Sequence, residues 1–130
     1  MPTPIETAIH TYIKAWSERD PTLRAALIEA CFAPQGRIVT RNREIVGRAA
    51  FAEAIARFHA DSSFLRIRLT SVIDAGRSSF RFSGVVERAD GTTSVEAFDA
   101  GELDASGRIS VLLTFDGPLG KPTIDATLKA

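Results

Sequence analysis

The sequence predicts an α+β fold in which three N-terminal helices pack on one face of a strongly curved antiparallel sheet. Two observations carry this expectation. Apolar residues recur at i, i+3 and i+4 up to Phe58 and at every second position from Phe64 onward, which are the periods of helix and strand. Short turn-forming segments, Ala75-Gly76-Arg77, Asp90-Gly91 and Asp104-Ala105-Ser106-Gly107, then divide the alternating stretch, so that successive strands become antiparallel neighbours. Helices followed by a meander make a two-layer domain.

The first helix starts at Thr3-Pro4-Ile5-Glu6, a capping box with proline preset for the first turn. Ile5, Ile9, Tyr12, Ile13 and Trp16 give it one apolar face, which carries the only Tyr and the only Trp of the chain. Asp20-Pro21 repeats the start signal for a second helix, whose expected buried stripe is Leu23, Leu27 and Cys31 and which ends near Phe32-Ala33-Pro34. A short strand pair follows, Ile38-Val39-Thr40 and Glu44-Ile45-Val46, joined through Arg41-Asn42-Arg43. Gly47 opens a third helix with Phe51, Ile55 and Phe58 at helical spacing.

Four longer strands fit residues 64–74, 79–88, 93–103 and 108–115. Gly84 and Gly101, both inside strands, let the sheet bend around the helices. The whole chain, 1–130, reads as one domain with its core over about 3–116 and a C-terminal extension over 117–130.

Composition narrows the function. Sixteen basic and sixteen acidic side chains cancel, which leaves no electrostatic footprint for nucleic acid or an anionic membrane surface. No window approaches a membrane span and the start lacks a signal-peptide pattern, so a cytoplasmic location is expected. His10, His59 and Cys31 have no ligand spacing, so neither a metal nor another cofactor is expected. Cys31 is expected as a buried apolar residue, His10 as exposed, and His59 at the edge of the helical stripe.

One carboxyl group interrupts the apolar face of the sheet. Val95, Ala97, Asp99, Gly101 and Leu103 alternate onto that face, with Ile109, Val111, Leu113 and Phe115 on the next strand and Phe80 and Phe82 on the previous one. A buried carboxylate is costly unless it is hydrogen-bonded, protonated or facing a cavity. Tyr12 is its natural partner, since the first helix must lie over the same surface. The pair makes either a core hydrogen bond without chemistry or a polar point in a pocket roofed by Tyr12, Trp16, Ile55 and Phe58.

The stretch from Tyr12 through Trp16 to Asp20 (YIKAWSERD), Phe32-Ala33 before the first short strand, the segment from Gly47 to Phe51 (GRAAF), and Phe98-Asp99 leading to Asp104 through Ile109 (DASGRI) occur in a characteristic order. Together they resemble the nuclear transport factor 2-like superfamily, and in particular its SnoaL-like polyketide cyclases and ketosteroid isomerases, over residues 5 to 116. The resemblance implies the cone-shaped, cystatin-like version of the α+β fold. It also implies that Tyr12 and Asp99 stand where the isomerases place an oxyanion hole, Asp99 being the type of carboxylic acid that an apolar site keeps neutral.

One departure is clear. The proton-shuttle position of those isomerases falls at Thr40, and a threonine hydroxyl is far too weak a base to deprotonate a carbon acid. Glu44 lies on a hairpin expected to be solvated. Arg37, Arg41, Arg43 and Arg48 cluster around the same hairpin and are expected as a solvated turn. Arg88-Ala89-Asp90, which resembles part of the Asp-Arg-Asp set of limonene epoxide hydrolases, runs into a turn.

The expectation for function is a pocket for a small hydrophobic, cyclic or carbonyl-bearing ligand, served by Tyr12 and Asp99 as isomerase, cyclase or hydrolase. The alternative is a non-catalytic ligand-binding or interaction domain of the same fold. The outer sheet face, with Phe98 and Leu112 assigned to it, is expected to form a homodimer.

Overall fold

The computed structural model of the chain describes residues 1–61 and 63–122. Helix α1 (Pro4–Ser17) begins in the expected capping box, with the Glu6 N–H donating to Thr3 Oγ1 at 3.1 Å and the Thr3 N–H to Glu6 Oε1 at 3.2 Å. Its buried face carries Ile5, Ala8, Ile9, Tyr12, Ala15 and Trp16. Asp20 caps α2 (Pro21–Cys31) by accepting from the Thr22 and Leu23 N–H groups.

The stripe expected on α2 is corrected. Leu23 is exposed, Leu27 half-buried, and Arg24, Ile28 and Cys31 are the buried residues. Arg24 is drawn inward because its guanidinium donates to the Glu18 and Arg19 carbonyls beyond the end of α1 and to His59 Nδ1. A satisfied cation lets the aliphatic stem take a core position.

The chain continues as β1 (Phe32–Val39), β2 (Glu44–Val46), α3 (Arg48–Ala60), β3 (Phe64–Leu69), β4 (Asp74–Ala75), β5 (Ser79–Arg88), β6 (Ala97–Leu103) and β7 (Ile109–Asp116). The main sheet runs β2-β1-β7-β6-β5-β3, with β4 beside β5. It curls strongly around the helices, as expected for the cone. Pairing is antiparallel throughout except between β1 and β7, which are parallel. That contact joins strands distant in the sequence and is set by closure of the sheet, so no local turn signal announces it. Residues 93–96 are not a strand, although Thr93 bridges Glu87.

A bulge in β7 has the largest consequence. Glu102 pairs with Val111, but Leu103 pairs with Ile109, so one extra residue intervenes. A single inserted residue reverses the faces beyond it. Ile109 and Leu112 are fully buried, whereas Val111, Leu113 and Phe115, expected on the pocket floor, stand on the outer face, and the outward assignment of Leu112 is likewise reversed. Gly101 sits opposite the bulge, and a Cβ there would lie 2.2 Å from the Val111 carbonyl oxygen.

The core gathers Ile9, Ile28, Phe32, Phe51, Ile55 and Ile109 between helices and sheet. Among the described residues no helix is long and apolar enough to cross a membrane. The extension expected over 117–130 is described only to Pro122, and 123–130 lie outside the described residues.

Candidate functional site

Between α1, the end of α3 and the concave face of the sheet lies a cavity of about 420 Å³. Register explains its walls. Phe82 pairs with Asp99 and Asp99 with Thr114, while Gly84 pairs with Ala97 and Ala97 with Asp116. These residues share one face and all six border the cavity. Tyr12 and Trp16, one turn apart on α1, form the opposite wall with Phe58 from α3. The rings pack closely: Trp16 meets Phe58 edge-on at 5.0 Å between centroids, and Tyr12 stacks on Phe51 at 5.5 Å.

Of the residues singled out in the sequence, Tyr12, Trp16, Thr40, Phe58, Phe82, Val95, Ala97 and Asp99 line the cavity. Ile55 does not. It is fully buried with Phe51, while Ala54 and Phe58 take the cavity face of α3, about 100° around the helix. Val111, Leu113 and Phe115 are excluded by the β7 bulge. Thr40 closes its own turn, accepting the Arg43 N–H at 3.2 Å.

Three polar groups belong to residues that line this cavity. Asp99 Oδ1 is buried and has no hydrogen-bond partner among the described residues. Burial pushes its carboxyl up from 3.8 to about 6; the Thr114 hydroxyl opposes this and the Asp116 carboxylate reinforces it. Burial also holds the Tyr12 phenol well above 10, Asp99 adds to that shift, and the Trp16 indole N–H works against it. Trp16 Nε1 is the other buried polar atom without a partner among the described residues. No Tyr12–Asp99 hydrogen bond forms; the two groups border the same cavity from opposite walls.

Asp116 and Thr114 were not legible in the sequence, because Leu112-Leu113 satisfies either face and conceals the parity change at the bulge. The exposed rim carries Arg43, Asp61 and Val95, with the half-buried Arg88 beside them. The other arginines have local work: Arg37 pairs with Glu44 at 3.0 Å, and Arg48 donates to the Phe32 and Glu29 carbonyls. His59 Nε2 lies 2.7 Å from the Trp16 carbonyl, and its Nδ1 accepts from Arg24. Burial lowers its pKa. The Cys31 thiol, raised to about 12 by burial, is inert. Among the described residues no group of three or more His, Cys, Asp or Glu is arranged to hold a metal.

This architecture recurs in solved structures. A SnoaL-like family protein of Agrobacterium tumefaciens str. C58, provisionally named an isomerase, superposes with a TM-score of 0.81 at 26% identity, over 90% of this chain and 100% of its own. An NTF2-like protein of unknown function from Burkholderia pseudomallei K96243 gives 0.63 at 12% identity, over 88% and 92%. A protein with a ketosteroid isomerase-like fold from Catenulispora acidiphila DSM 44928, in complex with trimethylamine, gives 0.65 at 14% identity, over 85% of each chain. The chain thus has the nuclear transport factor 2-like fold, and the resemblance to the SnoaL-like and ketosteroid isomerase-like branch extends from sequence to structure. No family model matches the sequence, and neither does any curated protein.

Proposed function

We propose that the cavity binds a small, largely apolar ring compound bearing a carbonyl group, and that Asp99 moves a proton between two of its carbons. The observation that carries this reading is the unpartnered Asp99 Oδ1, buried on the wall of an apolar cavity of about 420 Å³. That volume falls within the range of small-molecule sites. A carboxyl group with a pKa of about 6 is largely ionised at neutral pH and still basic enough for general-base work.

Ionised Asp99 takes a proton from the carbon next to the carbonyl. The C–H electron pair becomes a carbon–carbon double bond, and the carbonyl π pair moves onto oxygen. Tyr12, neutral because burial raises its pKa, donates its O–H to that oxygen. In a ring whose carbon–carbon double bond extends the enolate, Asp99 then returns the proton to the far carbon of that conjugated system, so the step balances without a co-reactant. Burial sets the raised Asp99 pKa of about 6, and the Asp116 carboxylate adds to it.

The test follows α-proton exchange of 2-tetralone in D₂O by NMR. Wild type is expected to exceed the buffer rate, with activity rising as pH increases through about 6. Asp99→Asn is expected to lose at least about 100-fold. A wild-type rate equal to that of Asp99→Asn overturns the reading.

A second reading, binding without turnover, draws on the aromatic walls beside Asp99 and Asp116, which also suit an organic ammonium ion. The trimethylamine bound by the Catenulispora protein is of this class. In that case trimethylammonium affinity strengthens as Asp99 ionises, and 2-tetralone exchange is absent.

A further inference from the structure

Trp16 contributes more than a wall. Its side chain is 6% exposed and lines the cavity, and its Nε1–H is a buried donor without a partner among the described residues. An indole can only donate, and a buried donor left unpaired is destabilising. Tyr12, one helical turn earlier on the same face of α1, holds its ring 6.3 Å from that of Trp16 at a steep angle. The helix therefore brings two donor-bearing rings, a phenol and an indole, to the wall of the same cavity. Asp99, ionised near neutral pH, is an acceptor and cannot serve as the second donor there.

We infer that Trp16 determines ligand specificity: its indole N–H and the Tyr12 hydroxyl together hold one acceptor oxygen of the ligand, selecting oxygen-bearing ring compounds over bare hydrocarbons of the same shape. This rests on the cavity being a ligand site, as proposed above, and assigns to α1 both donors that hold the oxygen. The indole ring is held in place by packing on Phe51 and Phe58 at 5.5 and 5.0 Å between centroids. Ligands lacking an acceptor leave the indole unsatisfied and are expected to bind more weakly.

The experiment compares 2-tetralone with tetralin, the same bicyclic skeleton without the oxygen. Trp16 is the only tryptophan, so a ¹⁵N-labelled sample gives one indole N–H signal that reports directly on this group. In wild type, 2-tetralone is expected to move that proton downfield and slow its exchange with water, whereas tetralin leaves its exchange unchanged. Trp16→Phe is expected to lose about fivefold in affinity for 2-tetralone, as for one neutral hydrogen bond, and to keep its affinity for tetralin within twofold. The wild-type indole measurement stands even if Trp16→Phe fails to fold.

Binding of both compounds with no downfield shift or slowed exchange specific to the ketone overturns the assignment of Trp16 and leaves the ligand site intact. Failure of both compounds to bind the wild type overturns the ligand site itself, and this inference with it.

Discussion

Asp99 links the stability of the protein to pH. Its pKa rises from 3.8 to about 6 because burial penalises the carboxylate. The folded state therefore holds the proton more tightly than the unfolded state. The associated stability is fully present below pH 3.8 and is lost as pH rises through about 6. About two pKa units correspond to roughly 3 kcal/mol. Asp99→Asn, which cannot ionise, is expected to be more stable than wild type at pH 7.5 by about 1–3 kcal/mol relative to their difference at pH 3.5. Urea unfolding of both proteins at the two pH values checks this. An unchanged difference would mean that Asp99 is solvated in the folded state.

At the scale of elements, the β6–β7 pair decides the site. Its bulge turns Thr114 and Asp116 into the cavity and sends Leu113 and Phe115 outward. Gly101 permits that geometry, because any Cβ would collide with the Val111 carbonyl and with the Phe80 ring, 2.8 Å away. Backbone cannot yield as a flexible side chain can, so Gly101→Ala is expected to destabilise by about 2–3 kcal/mol or to shift the bulge. Thermal unfolding measures the first outcome. Loss of 2-tetralone exchange without loss of stability would report the second. Gly84→Ala, whose Cβ would stand 3.0 Å from the Arg68 carbonyl, is expected to be milder.

For the whole molecule, the corrected parity gathers large apolar side chains on the convex side. Phe98, Leu113 and Phe115 stand there, and Val72, Ile73, Pro118 and Leu119 border the same groove. At its margin lies the Arg81–Asp74 ion pair. An apolar centre with charges of both signs around it is self-complementary about a two-fold axis, and a second copy of the chain is our proposal for what covers it. Sedimentation at micromolar concentration is expected to give about 28 kDa, twice the 14.1 kDa chain. Phe115→Glu is expected to return the mass to that of one chain. A wild-type mass of 14.1 kDa removes the proposal.

Local signals in the sequence determined the three helices, their capping by Thr3 and Asp20, β5 and the short hairpin, because hydrophobic period and turn chemistry act over a few residues. Position along those elements was enough to bring Tyr12, Trp16, Phe82, Ala97 and Asp99 to one surface. Tertiary structure alone decided the rest. The parallel β1–β7 contact joins distant segments, and Arg24 displaces Leu23 from the core only because carbonyls of another loop and His59 satisfy it. The β7 bulge inverts residues 111–116, whose local alternation favours the opposite face. In each case the deciding contact joins residues far apart in the sequence, which local pattern cannot register.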